Sequence, residues 1–401
     1  MLASLHEKLS LLEDLQEELD RRKVEGLLRQ RRLLDSPQAE YIVANGRNYL
    51  SFCSNDYLGL ANHPSLIAAM QAAAGDSGVG SGASNLITGH HRYHDALEKK
   101  LAKFVDMPAA LVFSTGYMAN IGVISALMGR DDAVFCDKLN HACLNDGAIL
   151  SRANFQRFAH NDVATLEKLL KSSTAKQKLI AVDAVFSMDG DLAPLPDYLR
   201  LCDQYDAYLY IDDAHGFGVL GEHGQGSLNH FNLKSPRIIM MATLGKAAGV
   251  AGAFVAGEQV VIDYLVQNAR SYVYSTPAPP ALSATLIQSL TLIEQGDDLR
   301  AHLQHLIATL KANLQLKNWY LMPSDTAVQP LVIGGNHAAV SLSEYLQNQG
   351  DQKQGILVPA IRPPTVPKNT ARLRISLSAA HSEQDVIKLA SALNHAESEL
   401  T

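Results

Sequence analysis

The sequence predicts an α/β protein whose central sheet is mostly parallel and covered by helices on both faces. Short runs of β-branched and aromatic residues alternate with helical patterns such as residues 93–104 and 118–127, which is typical of that architecture. At 401 residues, the chain also exceeds the size at which a single core stops growing. The predicted strands are residues 110–113, 133–136, 179–185, 208–211, 238–243 and 253–255.

The region before the predicted sheet divides into a helix and a loop-rich stretch. Leucines recur on one helical face, so residues 1–50 are expected to form an amphipathic helix followed by an arm. The next stretch, up to about residue 89, is rich in Gly, Ser and Asn, and residues 75–82 are expected to lack regular structure. The leucines of the helical face are Leu2, Leu5, Leu9, Leu12, Leu15 and Leu19.

The region after the predicted sheet indicates a smaller α+β domain. A long helix with apolar periodicity follows Pro277, weaker strand patterns come next, and a last helix follows His381. We therefore predict a helix and arm at 1–50, a large domain at 51–280 and a small C-terminal domain at 281–401. The weaker strand patterns are residues 331–334, 356–359 and 372–377.

Composition excludes several classes of function. A net charge of -7 opposes binding to a nucleic-acid backbone. The four cysteines form no CxxC pair, which indicates neither a disulfide framework nor a metal site and fits a reducing cytoplasm. The N-terminal helix is too acidic for a targeting segment, and no run is long and apolar enough to span a membrane.

The strand at 208–211 leads into Asp212 and a glycine-rich run, which allows two interpretations. Residues 216–221 have the spacing GxGxxG directly after a strand, as in a dinucleotide site. However, residues 222–227 make a poor helix start, and no further acidic residue occurs before Glu258 to bind a ribose hydroxyl. The alternative is that Asp212 is the buried carboxylate partner of a pyridinium nitrogen.

That alternative requires an amine able to reach the same ligand, and Lys246 follows the next predicted strand. Apolar and glycine-rich sequence surrounds this lysine, which argues against a solvated surface position. Desolvation lowers the pKa of an amine and makes it a nucleophile toward an aldehyde. Asp212 and Lys246 together predict bound pyridoxal 5′-phosphate (PLP), with Lys246 as its Schiff-base lysine and Asp212 on its pyridine nitrogen.

Polar residues after other strands are candidates to bind the same cofactor. Gly116 and Tyr117 begin a helix whose free N–H groups suit a phosphate, although Ser-Thr-Gly before a helix is as often a plain N-cap. Thr243 is placed to donate to the phosphate, and His141 to stack on the aromatic ring. A lone histidine such as His141 is more often structural, whereas His215 is close enough in sequence to Asp212 to reach the ring hydroxyl.

Several segments resemble the α-oxoamine synthases, the fold-type I PLP enzymes that condense an amino acid with an acyl thioester and release carbon dioxide. The resemblance covers nearly the whole chain. It implies a fold-type I PLP-dependent transferase and a homodimer, because the active site of this fold type is built at the subunit interface. The segments are residues 54–60, 158–162, 185–191, 212–216 and 243–246.

The resemblance also implies roles for individual residues. Gly116 and Tyr117 would lie at the phosphate, and Ser187 and His215 would bond the cofactor. His141 would stack on the ring and act in catalysis beside Lys246 and Asp212. Arg374 would hold the amino-acid carboxylate, and further substrate contacts would come from Arg29, Asn55, Arg362 and Thr365.

Residues 360–367 and 371–374 resemble the branch of the family that joins L-alanine to a pimeloyl thioester, carried by coenzyme A or an acyl carrier protein. A sister synthase using glycine with an acetyl or succinyl thioester is the nearest alternative. An NAD-dependent dehydrogenase that uses the glycine-rich run is a more distant one. A catalytically silent homologue is disfavoured because Lys246 and Asp212 are both present.

Overall fold

The computed structural model describes residues 3–348 and 354–400. Its strands are β1 (Tyr41–Ala44), β2 (Arg47–Ser51), β3 (Ala109–Phe113), β4 (Ala133–Asp137), β5 (Asn154–Phe158), β6 (Lys178–Asp183), β7 (Tyr208–Asp212), β8 (Ile238–Thr243), β9 (Ala253–Gly257), β10 (Tyr320–Leu321), β11 (Val328–Gly334), β12 (Gln354–Leu357), β13 (Ala360–Ile361) and β14 (Ala371–Ser376).

The helices are α1 (Ala3–Val24), α2 (Pro64–Ser77), α3 (Arg92–Phe104), α4 (Gly116–Leu127), α5 (Ala142–Ser151), α6 (Val163–Ser172), α7 (Leu195–Tyr205), α8 (Ser227–His230), α9 (Gln259–Asn268), α10 (Arg270–Val273), α11 (Pro280–Glu294), α12 (Asp297–Asn313), α13 (Asn336–Asn348) and α14 (Glu383–Leu400). None of the described helices combines the length and apolarity that crossing a membrane requires.

A seven-stranded sheet in the order β3-β9-β8-β7-β6-β4-β5 forms the centre of the molecule. The pairs from β8 to β5 are parallel, and β9 runs antiparallel to both of its neighbours. The six strands predicted from sequence are all present in it. The edge strand β5 was not predicted, because only one of its five residues is buried and it lacks an apolar run.

Successive residues along these strands contribute to two different apolar cores. Phe135 and Ile211 belong to the larger core, whereas their neighbours Val134 and Tyr210 belong to the smaller one on the opposite face. Side chains alternate across a strand, so a sheet with a core on each face is covered on both sides. The prediction of a mostly parallel, doubly covered sheet is therefore confirmed.

Two smaller sheets contain the strands of the C-terminal part of the chain. One is antiparallel, in the order β10-β11-β14-β13, and packs against α13, which in turn packs against α14. The other joins β1 and β2 of the arm to β12, which runs parallel to β2. The arm is thus hydrogen-bonded to the C-terminal region, although the large sheet separates the two in sequence. The boundaries near residues 50 and 280 stay predictions.

The expectation of a loop-rich stretch up to residue 89 is wrong for α2. Pro64 at its start has no N–H to lose, the His63 side chain caps the N–H of Ser65, and the helix ends at Gly78 with a positive φ of 73°. Its run of alanines favours helix by composition rather than by apolar spacing. Tertiary packing against α11 then stabilises it.

Several leucines of helix α1 are exposed and are not buried by the rest of the described chain. Leu12, Leu15 and Leu19 are between 47% and 61% exposed. Leu2 and the side chains of Leu5 and Leu9 lie outside the described residues. The predicted helix is confirmed over Ala3–Val24.

Candidate active site

Asp212 is the last residue of β7 and is only 4% exposed. Its Oδ2 accepts a hydrogen bond from Nδ2 of Asn120 at 2.7 Å, and its Oδ1 accepts one from the N–H of Ala214 at 3.0 Å. The hydroxyl of Tyr210 donates to Oδ1 of Asn120 at 2.8 Å, which orients the amide. Two donors therefore hold the carboxylate in one orientation at the edge of the sheet.

A second buried carboxyl group, that of Asp183, ends the neighbouring strand β6 and pairs in register with Asp212. One of its oxygens accepts the N–H of His141 at 2.6 Å. Burial, and then the negative charge of Asp212, raise the pKa of Asp183 well above its usual value. Two carboxyl groups this close disfavour ionisation of both.

Lys246 follows β8, the strand on the other side of β7. Its Nζ lies 2.9 Å from Nε2 of His215. Burial lowers the pKa of Lys246 to about 8, although the negative charges of Asp212 and Asp183 oppose that shift. A fraction of the amine is therefore unprotonated near neutral pH, which is the form that attacks an aldehyde.

His215 links Lys246 to Tyr57, which follows the arm strand β2. Its Nδ1 lies 2.6 Å from the hydroxyl of Tyr57. Burial, and then the positive charge of Lys246, lower the pKa of His215 well below its usual value. The neutral ring has one donor and one acceptor. When Lys246 donates to Nε2, the Nδ1–H group donates to Tyr57, whose hydroxyl donates to Oδ1 of Asn55 at 3.1 Å.

Arg374 on β14 reaches the same group of residues from the C-terminal region. Its Nη1 donates to Oδ1 of Asn55 at 3.0 Å, and its Nε donates to the carbonyl of Ser187 at 2.6 Å. The side chain is 5% exposed, and it makes no ion pair with a carboxylate of the described residues. A buried guanidinium without a counter-ion is unfavourable, so this cation is suited to receive the carboxylate of a ligand.

Gly116 and Thr243 lie against each other at the start of α4. A Cβ on Gly116 would come within 2.6 Å of Cγ2 of Thr243, so only glycine permits this approach. Oγ1 of Thr243 is buried and has no hydrogen-bond partner within the described chain. The first N–H groups of a helix also lack helical acceptors, so this corner offers several unsatisfied donors to an anion.

The neighbouring side chains of His141 and Tyr117 are exposed. His141 caps α5, with Nδ1 accepting from the N–H of Cys143, and its ring is free to stack on a flat ligand. Tyr117 is 47% exposed and its hydroxyl donates to Asp146. The structure therefore gathers the residues predicted to bind the cofactor around the carboxyl ends of the strands.

Comparison with known proteins decides the family. A family model described as aminotransferase class I and II matches residues 47–393. A Methylobacillus flagellatus protein named 8-amino-7-oxononanoate synthase is 58% identical over 387 residues, covering 96% of each chain. The chain belongs to the 8-amino-7-oxononanoate synthases.

Two solved structures support this assignment. The 8-amino-7-oxononanoate synthase of Francisella tularensis is 30% identical, with a TM-score of 0.72 over 87% of this chain and 97% of that chain. A serine palmitoyltransferase from S. paucimobilis with a bound PLP–myriocin aldimine is 27% identical, with a TM-score of 0.89 over 98% of both chains. The fold is therefore the fold-type I PLP transferase fold, and the 8-amino-7-oxononanoate synthases are PLP-dependent acyltransferases.

The residues present fit PLP. The unpartnered hydroxyl of Thr243 and the space kept open by Gly116 suit its phosphate. The oriented carboxylate of Asp212 suits its ring nitrogen, and the amine of Lys246, with its lowered pKa, suits its aldehyde. In contrast, the glycine-rich run forms a tight turn rather than a helix start. A Cβ on Gly218 would approach Cβ of Ala247 to 2.7 Å, so the run packs against the lysine loop.

The predicted substrate residues fall into two groups in this 8-amino-7-oxononanoate synthase. Asn55 and Arg374 touch each other inside the site. Arg29 and Thr365 form a separate contact, with Nη2 of Arg29 donating to Oγ1 of Thr365 at 3.3 Å, and Arg362 donates to the carbonyl of Gly26 nearby. Among the described residues, no hydrogen bond or ion pair joins the second group to the first.

Sequence reasoning missed Tyr57, Asn120 and Asp183. Tyr57 lies within residues 54–60, one of the segments that resemble the family. Its role, however, depends on a contact with His215, which is 158 positions away. Asn120 lies inside a helix, 92 positions from Asp212. An acidic residue at the end of a buried strand was a usable signal for Asp183, since it matches the position of Asp212 on β7.

Sequence reasoning also passed over His160, which follows β5 and lies between two carboxylates. Its Nδ1 is 3.1 Å from Asp137 and its Nε2 is 2.8 Å from Asp191. Ionised carboxylates only accept, so both ring nitrogens must donate and the ring is an imidazolium. Burial opposes that charge, but the hydrogen bonds to Asp137 and Asp191 outweigh it and raise the pKa of His160 to about 10.

His160 and Asp191 also form, with Asp189, a group whose potential metal-ligand atoms lie within 4.8 Å of one another. Asp189 is paired with Arg372, and Asp191 with His160. Positive side chains of the chain itself therefore already neutralise these carboxylates.

The His160→Gln variant is expected to be less stable than the parent protein, by an amount that depends on pH. A raised pKa in the folded state stabilises fully below the ordinary histidine pKa of about 6.5, and the effect is lost as pH rises through about 10. The difference in urea midpoint between parent and variant should therefore shrink from pH 6.5 to pH 10. His230→Gln, at an exposed histidine of α8, is the control. A difference that is constant across this range would contradict the imidazolium.

Proposed function

We propose that the protein condenses L-alanine with a pimeloyl thioester, giving 8-amino-7-oxononanoate, carbon dioxide and the free thiol, in biotin biosynthesis. The similarity to proteins named 8-amino-7-oxononanoate synthase supports this reaction. The observation that carries it is the hydrogen-bonded chain from Lys246 through His215, Tyr57 and Asn55 to Arg374. It connects a reactive amine to a cation for a carboxylate.

Lys246 and Asp212 supply the groups that act on the amino acid. When bound, PLP supplies an aldehyde that reacts with amines and a ring that accepts electrons from the substrate Cα. Lys246, with its pKa lowered to about 8 by burial, is suited to take the Cα proton of alanine and to return a proton to the product. The carboxylate of Asp212 is suited to keep a proton on the pyridine nitrogen.

Arg374 is the proposed partner of the alanine carboxylate. Its Nε and Nη1 are engaged by Ser187, Asn55 and Ser376, whereas Nη2 makes only a long contact of 3.5 Å with Tyr57. That terminal nitrogen can therefore donate to a ligand while the rest of the guanidinium stays fixed. A fixed cation orients the bonds at Cα relative to Lys246, which is how positioning lowers the barrier.

The far end of the acyl chain is assigned to Arg29 and Thr365. A pimeloyl group ends in a second carboxylate or its ester, and a buried anion there needs a cation or the desolvation cost opposes binding. Arg29 supplies such a cation, and its Nη2 donates to Oγ1 of Thr365. His141, whose exposed ring lies at the strand ends, completes the proposed catalytic set.

We also propose a cytoplasmic homodimer that receives the thioester from coenzyme A or an acyl carrier protein. The exposed leucines of α1 are an apolar face that a second copy would cover. A sister reaction of glycine with an acetyl or succinyl thioester is the second candidate, since it uses the same amine and carboxylate chemistry.

The Lys246→Ala variant should fold but lose at least about 10³-fold in condensation rate, because both the nucleophile and the proton carrier are removed. Borohydride reduction of the PLP-loaded parent, followed by peptide mass spectrometry, should label Lys246. Lys234→Ala, at an exposed lysine paired with Asp106, should keep both label and activity. A cofactor label on another lysine of the parent would refute the assignment.

The Asp212→Asn variant tests the carboxylate separately. An amide offers one acceptor oxygen where Asn120 and Ala214 now donate to two, and it cannot hold a pyridine nitrogen protonated. We expect PLP still to bind, while exchange of the alanine α-proton with D₂O slows by about 100-fold or more. Proton NMR measures the exchange. An exchange rate near that of the parent would rule out this role for Asp212.

Alanine with pimeloyl-coenzyme A should exceed glycine with acetyl- or succinyl-coenzyme A by at least about 100-fold in kcat/KM, a gap of roughly 2.7 kcal/mol. Arg29→Gln should narrow that gap, because the charge opposite the far carboxylate is lost. Steady-state kinetics, with the products identified by mass spectrometry, measures the ratio of the kcat/KM values. If glycine with a short thioester is the better pair, the protein is a sister synthase, and the PLP chemistry is unaffected.

A further inference from the structure

Five arginines lie around the arm that follows α1: Arg29, Arg31, Arg32, Arg47 and Arg362. Within residues 3–348 and 354–400, none of the five makes an ion pair with a carboxylate. Elsewhere the chain pairs its arginines readily, as at Arg92, Arg237 and Arg372. A group of unpaired cations in a chain of net charge -7 is unexpected for a surface that binds only water.

Three of these arginines line one cavity. Arg31, Arg32 and Arg362 surround a space of about 450 Å³ between the arm, α13 and β13. Gln347 and Ser343 of α13 add polar groups, and Nη2 of Arg32 donates to Oε1 of Gln347 at 3.4 Å. One carboxylate, that of Glu344, also lines the cavity. The set is rich in donors and suits an anion larger than a carboxylate.

The cavity lies one strand away from the active site. Pro359 and Ala360 line it, and the carbonyl of Pro359 accepts the backbone N–H of Arg374 at 3.1 Å. The thiol of Cys53 gives a second link. Burial raises its pKa to about 11, and the positive charges of Arg32 and Arg374 both oppose that shift, so both guanidiniums lie near this partly buried thiol.

Arginine is the side chain best suited to phosphate, because its planar fork donates two parallel hydrogen bonds. Burial, and then the charge of Arg29, lower the pKa of Arg362, and an anion in the cavity would stabilise its charged form. Coenzyme A and the prosthetic arm of an acyl carrier protein share one anionic group, the phosphate of pantetheine. That phosphate must lie outside the catalytic centre while the thioester carbon lies inside it.

We propose that the cavity lined by Arg31, Arg32 and Arg362 binds phosphate of the pantetheine carrier that delivers the acyl thioester. This inference rests on the proposed condensation for its biological ligand. The binding of phosphate itself depends only on the arginines.

Isothermal titration calorimetry of the PLP-loaded enzyme tests the proposal by measuring its affinity for coenzyme A, phosphopantetheine and pantetheine. The double variant Arg31→Gln, Arg32→Gln should weaken coenzyme A binding at least tenfold, or about 1.4 kcal/mol, and leave pantetheine binding unchanged. Affinity of the parent for coenzyme A should also fall as salt rises, and that dependence should be weaker in the variant.

Two further variants serve as controls. Glu344→Gln removes the one carboxylate that the described residues contribute to the cavity and should tighten coenzyme A binding. The double variant Arg130→Gln, Arg152→Gln removes the same charge from exposed positions just before β4 and β5, at the opposite edge of the sheet from the active site, and should leave affinity unchanged. An equal loss of coenzyme A affinity in both double variants would show a general charge effect and would overturn the proposed site.

The three ligands separate the sources of the phosphate. Equal weakening of coenzyme A and phosphopantetheine places the shared pantetheine phosphate in the cavity, whereas weakening of coenzyme A alone places its nucleotide phosphates there. Unchanged coenzyme A binding, or equal weakening of pantetheine, refutes the proposal. Because no acyl group is present, failure of the condensation with pimeloyl thioester does not affect this measurement.

Discussion

The carboxyl ends of β6, β7 and β8 bring Asp183, Asp212 and Lys246 together where little water remains. Each charge there is costly. The two carboxyl groups disfavour each other's ionisation, but both favour the charged lysine, since they oppose the lowering of its pKa by burial. The balance leaves an amine with a pKa of about 8, close to the pH at which a proton carrier works well. The fold meets this constraint by placing three strand ends side by side.

The rest of the site connects that amine to the two other parts of the chain. His215 comes from the large sheet, Tyr57 and Asn55 follow the arm strand β2, and Arg374 lies on β14. The parallel pairing of β2 with β12 anchors the arm to the C-terminal region, so these side chains share one frame.

The loop after β6 is contacted both by the large sheet region and by the C-terminal region. Arg374 holds the carbonyl of Ser187, Arg372 pairs with Asp189, and protonated His160 pairs with Asp191. Three cations, two of them on β14 and one just after β5, therefore fix Ser187, Asp189 and Asp191 of one loop. Charge-assisted hydrogen bonds are strong where water is limited, which explains why a loop rather than a strand can position the guanidinium of Arg374.

The sequence by itself determined the central sheet, its two covered faces and the places of Asp212 and Lys246. Those features depend on local periodicity and on the rule that parallel strands end at a common edge. Only the tertiary structure decided the roles of Tyr57, Asn120 and His160, and it corrected the loop expected at α2. The partners of Tyr57 and Asn120 lie 158 and 92 positions away, and α2 is stabilised by packing on α11, so no local pattern records these contacts.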